Sequence, residues 1–154
     1  MFVLTAHLLL LRADPSQKGV LLPQAVLTAQ CRSLIEAWEY TPADHLLHVL
    51  PLHHIHGTVN AILTPLLAGS SIEFLFPFNA DAVWSRLAAP FLPNSTSTTK
   101  DKITFFTVVP TVYSRLLSTY KLLSPDVQAA ASTAVSPEHM RLSISGSAAL
   151  PTPV

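Results

Sequence analysis

The sequence predicts an α/β fold, a largely parallel sheet covered by helices. Short apolar runs such as Leu46–Leu50 and Ile103–Val109 alternate with segments that are apolar at helical spacing. That alternation is the signature of strands joined by helical crossovers. Hydrophobic residues make up 49% of the chain and charged residues 12%, against about 25% charged in an average domain. A parallel sheet kept dry on both faces accounts for so little charge. Thirteen prolines against four glycines divide the 154 residues into many short elements rather than a few long helices.

The elements follow in order. The run from Phe2 to Leu11 is too short to span a bilayer, which takes roughly 20 residues. It has no basic segment before it and no small-residue cleavage site after it, so a buried strand is favoured over a poorly flanked targeting segment. No other stretch is apolar enough to cross a membrane, and the chain reads as soluble, in the cytoplasm or the mitochondrial matrix. Pro15 and Gly19 mark a polar turn, and Pro23 fits the first turn of a helix. Leu27, Cys31, Leu34, Ile35 and Trp38 give that helix one apolar face, down to about Tyr40.

Thr41 to Asp44 is a turn into the strand Leu46–Leu50, closed by Pro51. A helix apolar at Val59, Ile62, Leu63 and Leu66 follows Gly57, and Gly69 ends it in a left-handed conformation. Ser71–Phe76 is strand-like, and Asn79 caps a helix carrying Val83, Trp84 and Leu87. Residues 90–101 are aperiodic and rich in Pro, Ser, Thr and Asn, which predicts a surface loop. Ile103–Val109 is the clearest strand, being rich in β-branched and aromatic residues. Pro110 opens a helix with Tyr113, Leu116, Leu117 and Tyr120 on one face. Ser124, Pro125 and Asp126 form an N-cap signature before a short Ala-rich helix. Arg141–Ser145 is a last strand, running into a turn at Gly146.

Some function classes are excluded by composition. Nine basic and nine acidic residues cancel, so no electrostatic footprint for nucleic acid exists. Cys31 is the only cysteine, which excludes an internal disulfide and any multi-thiolate metal site. The loop between the second strand and its helix carries His53, His54 and His56, and loops at the carboxyl ends of parallel strands face the ligand crevice. A metal site is the weaker reading, because no Cys, Asp or Glu lies in the loop to complete a ligand set. Histidines satisfied by backbone carbonyls are the blander alternative. His7, His45, His48 and His139 have no evident partners in sequence. Ser145-Gly-Ser147 is not a nucleophile elbow, since Gly-x-Ser-x-Gly is not met.

Three blocks together carry a family resemblance. They are Leu46-Leu-His-Val-Leu-Pro-Leu-His-His-Ile-His-Gly57, Phe106-Thr-Val-Val-Pro-Thr-Val-Tyr-Ser-Arg115 and Met140-Arg-Leu-Ser-Ile-Ser-Gly-Ser-Ala-Ala-Leu-Pro151. In this order they resemble the adenylate-forming acyl-CoA synthetases, most closely the malonyl-CoA synthetase branch. The similarity runs from about Lys18 to the C-terminus. It implies an enzyme that activates a carboxylic acid, malonate in this branch, with ATP and Mg2+ to an acyl-adenylate, then passes the acyl group to coenzyme A. It also implies that residues 1–154 are part of the large N-terminal domain, without the mobile C-terminal domain.

The resemblance assigns no catalytic residue to this chain. It implies substrate contacts from His54, Gly57 and Arg115. Nucleotide contacts are implied for Lys18 and Gly19, from the phosphate loop, and for Ser145, Gly146, Ser147, Ala148 and Ala149, against the adenine. The phosphate loop departs from the family pattern. Arg12-Ala-Asp-Pro-Ser-Gln17 stands where a Thr/Ser/Gly-rich run is expected, and a phosphate cradle needs glycines to turn its amides inward. A second reading is therefore a catalytically inactive remnant, at most a binding or interaction module. A sheet cut after its last strand would leave an edge open to self-association.

Overall fold

The computed structural model describes residues 6–8, 20–93, 95–96 and 102–149. Lys18 and Gly19, most of the first apolar run and the chain after Ala149 lie outside them. Two short strands, β1 (Ala6–Leu8) and β2 (Val20–Leu22), pair antiparallel, with Ala6 opposite Leu22. Strand β2 was not expected from the sequence, where Pro23 and the preceding turn dominate the pattern.

The main sheet has four parallel strands: β3 (His45–His48), β4 (Ser71–Phe74), β5 (Phe105–Val108) and β6 (Leu142–Ser145). Their spatial order is β4-β3-β5-β6. Every side chain of β5 is buried, as a central parallel strand demands. The register sets Ile72, Leu46, Phe105 and Leu142 in one row across the sheet.

Each face of the sheet has its own cover. The row at Leu46 and Phe105 packs against Tyr40, Trp38 and Ala61, with the Tyr40 and Phe105 rings stacked at 4.3 Å. This cover is built by α1 (Gln24–Trp38) and by a helix over 56–68. On the other face Leu47, Val49, Phe106 and Val108 pack under α3 (Ala80–Ala88), α4 (Pro110–Tyr120) and α5 (Pro125–Ala134). Asn79 caps α3 by accepting from the Ala82 amide at 2.9 Å. Gly69 ends the 56–68 helix at φ 81°, where a residue without a Cβ is unstrained.

Three local expectations are corrected. The helix after the His loop is a π-helix over His56–Leu63 before α2 (Thr64–Ala68) takes over. Pro65 has no amide hydrogen, and its ring would press on the Ala61 carbonyl in a tight α-turn, which the wider turn relieves. The Thr64 hydroxyl donates to the Val59 carbonyl at 2.8 Å. Leu66, expected on the apolar face, is 58% exposed. On α4, Val112 and Leu116 are the buried pair, and Leu117 is 59% exposed. Ser124 stands at the N-cap of α5, but its side chain makes no capping bond.

Candidate functional site

Parallel strands bring their carboxyl ends to one edge of the sheet, and the His loop and the Gly146 turn both leave from there. Gly57 lies in the first turn of the π-helix, directly over the Pro51 carbonyl. Any Cβ on it would overlap that carbonyl oxygen. The glycine therefore lets the helix start sit down on the loop that precedes it. Two bonds pin this start. The Thr58 hydroxyl donates to the Leu52 carbonyl, and buried His48 donates from Nε2 to the Gly57 carbonyl at 2.9 Å. The other His48 ring nitrogen, Nδ1, is buried with no partner among the described residues.

Of the three loop histidines, His56 turns inward. It is 5% exposed. Its Nε2 lies 2.6 Å from the Thr107 hydroxyl on β5, and its Nδ1 lies 3.1 Å from the Ser147 hydroxyl beyond β6. Burial pushes its imidazole below the ordinary histidine range, so the ring is neutral near pH 7. Gly146 rests against it, and a methyl group there would come within 3.2 Å of His56 Cε1. Ser147 adopts φ 64°, an unusual conformation for a residue with a Cβ, and holds its hydroxyl toward His56.

The structure thus joins two of the three sequence blocks through His56 and reaches into the third at Thr107. The family resemblance, not the residue pattern, had singled out His54 in the loop. His54 is exposed, and its ring packs on that of His53 with centroids 4.3 Å apart. Ser145, Ala148 and Ala149 are exposed at the same strand ends. Arg115 is exposed on α4, and no described carboxylate pairs with it. Tyr113, two residues earlier, ties α4 to β6 by donating to the Ile144 carbonyl at 3.0 Å. A cavity of about 520 Å³ opens between His48, His53, Phe74 and Phe76, beside the loop. Among the described residues, no three of His, Cys, Asp and Glu converge as a metal site would need.

Sequence reasoning also missed the opposite end of the sheet. Asp44, 3% exposed, accepts from Arg141 Nε and Nη2 at 3.0 and 2.9 Å, from the Thr104 hydroxyl at 2.9 Å and from the Thr41 amide at 2.8 Å. Burial would raise its carboxyl, but the hydrogen bonds from Arg141, Thr41 and Thr104 outweigh it and hold the group below the usual carboxylate value. This cluster ties together the entries of β3, β5 and β6, at the sheet edge opposite the His loop.

A model of AMP-binding enzymes matches residues 16–154. The chain belongs to the AMP-binding enzyme family. It is 60% identical over 150 residues to a CoA ligase of Gibberella moniliformis, covering 89% of this chain and 25% of that one. It is 46% identical over 137 residues to the malonate–CoA ligase of Arabidopsis thaliana, covering 89% of this chain and 22% of that one. Among solved structures it resembles a malonyl-CoA ligase in ternary product complex with methylmalonyl-CoA and AMP. There the TM-score is 0.68 at 32% identity, over 94% of this chain and 27% of that one. The chain spans about a quarter of the length of the curated relatives it matches. No helix among the described residues is long and apolar enough to cross a membrane.

Proposed function

We propose that this chain forms the acid-binding and part of the nucleotide-binding portion of an ATP-dependent acyl-CoA ligase that activates malonate through an acyl-adenylate. The observation that carries this reading is His56, clamped between β5 and the Gly146 turn at the carboxyl ends of the sheet. That clamp makes one rim from the segment expected to touch the acid and the segment expected to touch the adenine. His54, Gly57 and Arg115 serve the acid, with Gly57 acting through its close fit to Pro51. Ser145, Gly146, Ser147, Ala148 and Ala149 lie against the nucleotide. Lys18, next to Gly19, would meet the ATP phosphates as a point charge, Mg2+ would offset phosphate charge, and coenzyme A would accept the acyl group.

The remnant reading keeps one observation in its favour, the lack of glycine between Arg12 and Gln17. Two exchanges into the Arabidopsis thaliana malonate–CoA ligase separate the readings. In one, residues 20–149 of this chain replace the matching segment, and in the other residues 12–149 do. Pyrophosphate release dependent on ATP and malonate is expected from the first exchange. A folded but inactive first exchange would overturn the reading. Loss confined to the second would place the defect in the altered phosphate loop.

A further inference from the structure

Thr107 is a hydroxyl on an otherwise apolar, fully buried strand, 1% exposed itself, and His56 Nε2 is its only hydrogen-bond partner among the described residues. A buried hydroxyl must place its hydrogen on an acceptor. Were Nε2 protonated, Thr107 could only accept from it, and its own hydrogen would be left buried without a partner. With Nε2 bare, Thr107 donates to it at 2.6 Å and no polar hydrogen is stranded. A neutral imidazole then carries its proton on Nδ1, which faces the Ser147 hydroxyl at 3.1 Å. Ser147 accepts from Nδ1, so its own hydrogen is free to point outward, and Ser147 is exposed at the carboxyl end of β6.

We propose that Thr107 is a positioning residue that fixes the His56 proton on Nδ1 and so makes Ser147 a hydrogen-bond donor toward an anionic ligand group, a carboxylate or a phosphate oxygen. The opposite tautomer would have Ser147 spend its hydrogen on Nδ1 and offer only lone pairs to that anion. The left-handed backbone at Ser147 belongs to the same device, because it turns the hydroxyl onto the ring instead of away from it. This deepens the acyl-CoA ligase reading by assigning the polarity of one wall of its site.

The test requires no substrate, so its failure is distinct from failure of that reading. The 154-residue chain is labelled with 15N-histidine, and long-range 1H–15N correlation spectra are recorded at neutral pH. His56 is assigned by its loss in His56→Gln. The expected spectrum shows a protonated Nδ1 and a bare, hydrogen-bonded Nε2. In Thr107→Val, close in shape but without the hydroxyl, the Nε2 signal moves toward that of an unbonded imidazole nitrogen. Thr107→Ser holds the wild-type signals. A wild-type spectrum with the proton on Nε2 overturns the proposal, and so does a folded Thr107→Val with an unmoved Nε2 signal. If Thr107→Val does not fold, the wild-type and Thr107→Ser spectra still decide.

Discussion

Arg141 reaches 97 residues back along the chain to hold the buried carboxylate of Asp44 with two nitrogens, at 3.0 and 2.9 Å. A third nitrogen, Nη1, donates to the Trp38 carbonyl at 2.8 Å, which adds the end of α1 to the same knot. Replacing Arg141 with Leu leaves Asp44 charged and buried with only the Thr41 and Thr104 donors. Breaking such a pair from one side is expected to cost roughly 3 kcal/mol. Urea denaturation of Arg141→Leu should show that loss as a lowered midpoint at an unchanged slope. Asp44→Asn with Arg141→Leu should recover part of it, because no unpaired charge remains buried. A double variant no better than the single one would show that Asp44 is not the group Arg141 protects.

Acid should destabilise the chain in two stages. His56 is depressed by burial, so the unfolded chain binds its proton first and stability falls once the pH drops below the ordinary histidine value of about 6.5. Asp44 is held down chiefly by its Arg141, Thr41 and Thr104 bonds, against burial, and its contribution is complete above the ordinary aspartate value. That contribution is lost as the pH falls below about 4, through the folded value. Both slopes have the same sign, with stability rising with pH. Urea midpoints taken from pH 7.5 to 3.5, as an experimental range chosen to bracket these two values, should lose the upper stage in His56→Gln and keep the lower. An unchanged upper stage in His56→Gln would assign it to another histidine.

Much of the fold was legible in the sequence, and the parts that were not share a cause. The strand at Phe105–Val108, the Asn79 cap and the Gly69 stop are set by neighbours within a few residues, and local pattern reads such features well. His54 was named from the family resemblance alone, and the inward turn of His56 was not legible because no local spacing distinguishes the loop histidines where the helix opens as a π-helix. Thr107 did leave a trace, being the one polar residue between Phe105, Phe106 and Val108. Asp44 and Arg141 left none, since a pairing across 97 residues has no local signature.

Gly57 offers a stability test that depends on shape alone. A methyl group there would overlap the Pro51 carbonyl, a backbone atom that cannot swing aside as a side-chain end can. Gly57→Ala must push the π-helix off the loop or distort the His48 bond to the Gly57 carbonyl. Forced shifts of this kind cost about 1–3 kcal/mol. Gly146→Ala meets only the edge of the His56 ring, at 3.2 Å, and should cost less. Thermal unfolding of the two variants side by side should rank them in that order. Equal losses would mean that the loop yields more readily than its backbone contact indicates.

Arg115 is the residue we propose to read the second carboxylate of malonate. A non-reacting carboxylate bound in a site needs a fixed cation, and a guanidinium can hold it through two parallel hydrogen bonds. Arg115 is exposed on α4, off the face made by Val112 and Leu116, and no described carboxylate occupies it. A solvated surface arginine would look the same in isolation, so exposure alone does not choose between the two roles. Substrate discrimination does. In the active exchange carrying residues 20–149, Arg115→Ala should lower kcat/KM for malonate by about 3 kcal/mol, or roughly 10²-fold, through a substrate charge left unpaired. Butyrate, which has no second carboxylate, should lose little. Arg115→Lys should recover only part of the malonate activity, because an ammonium keeps the charge but not the two-pronged geometry. Equal losses on both acids, or none on either, would remove Arg115 from substrate recognition and leave it a surface residue of α4.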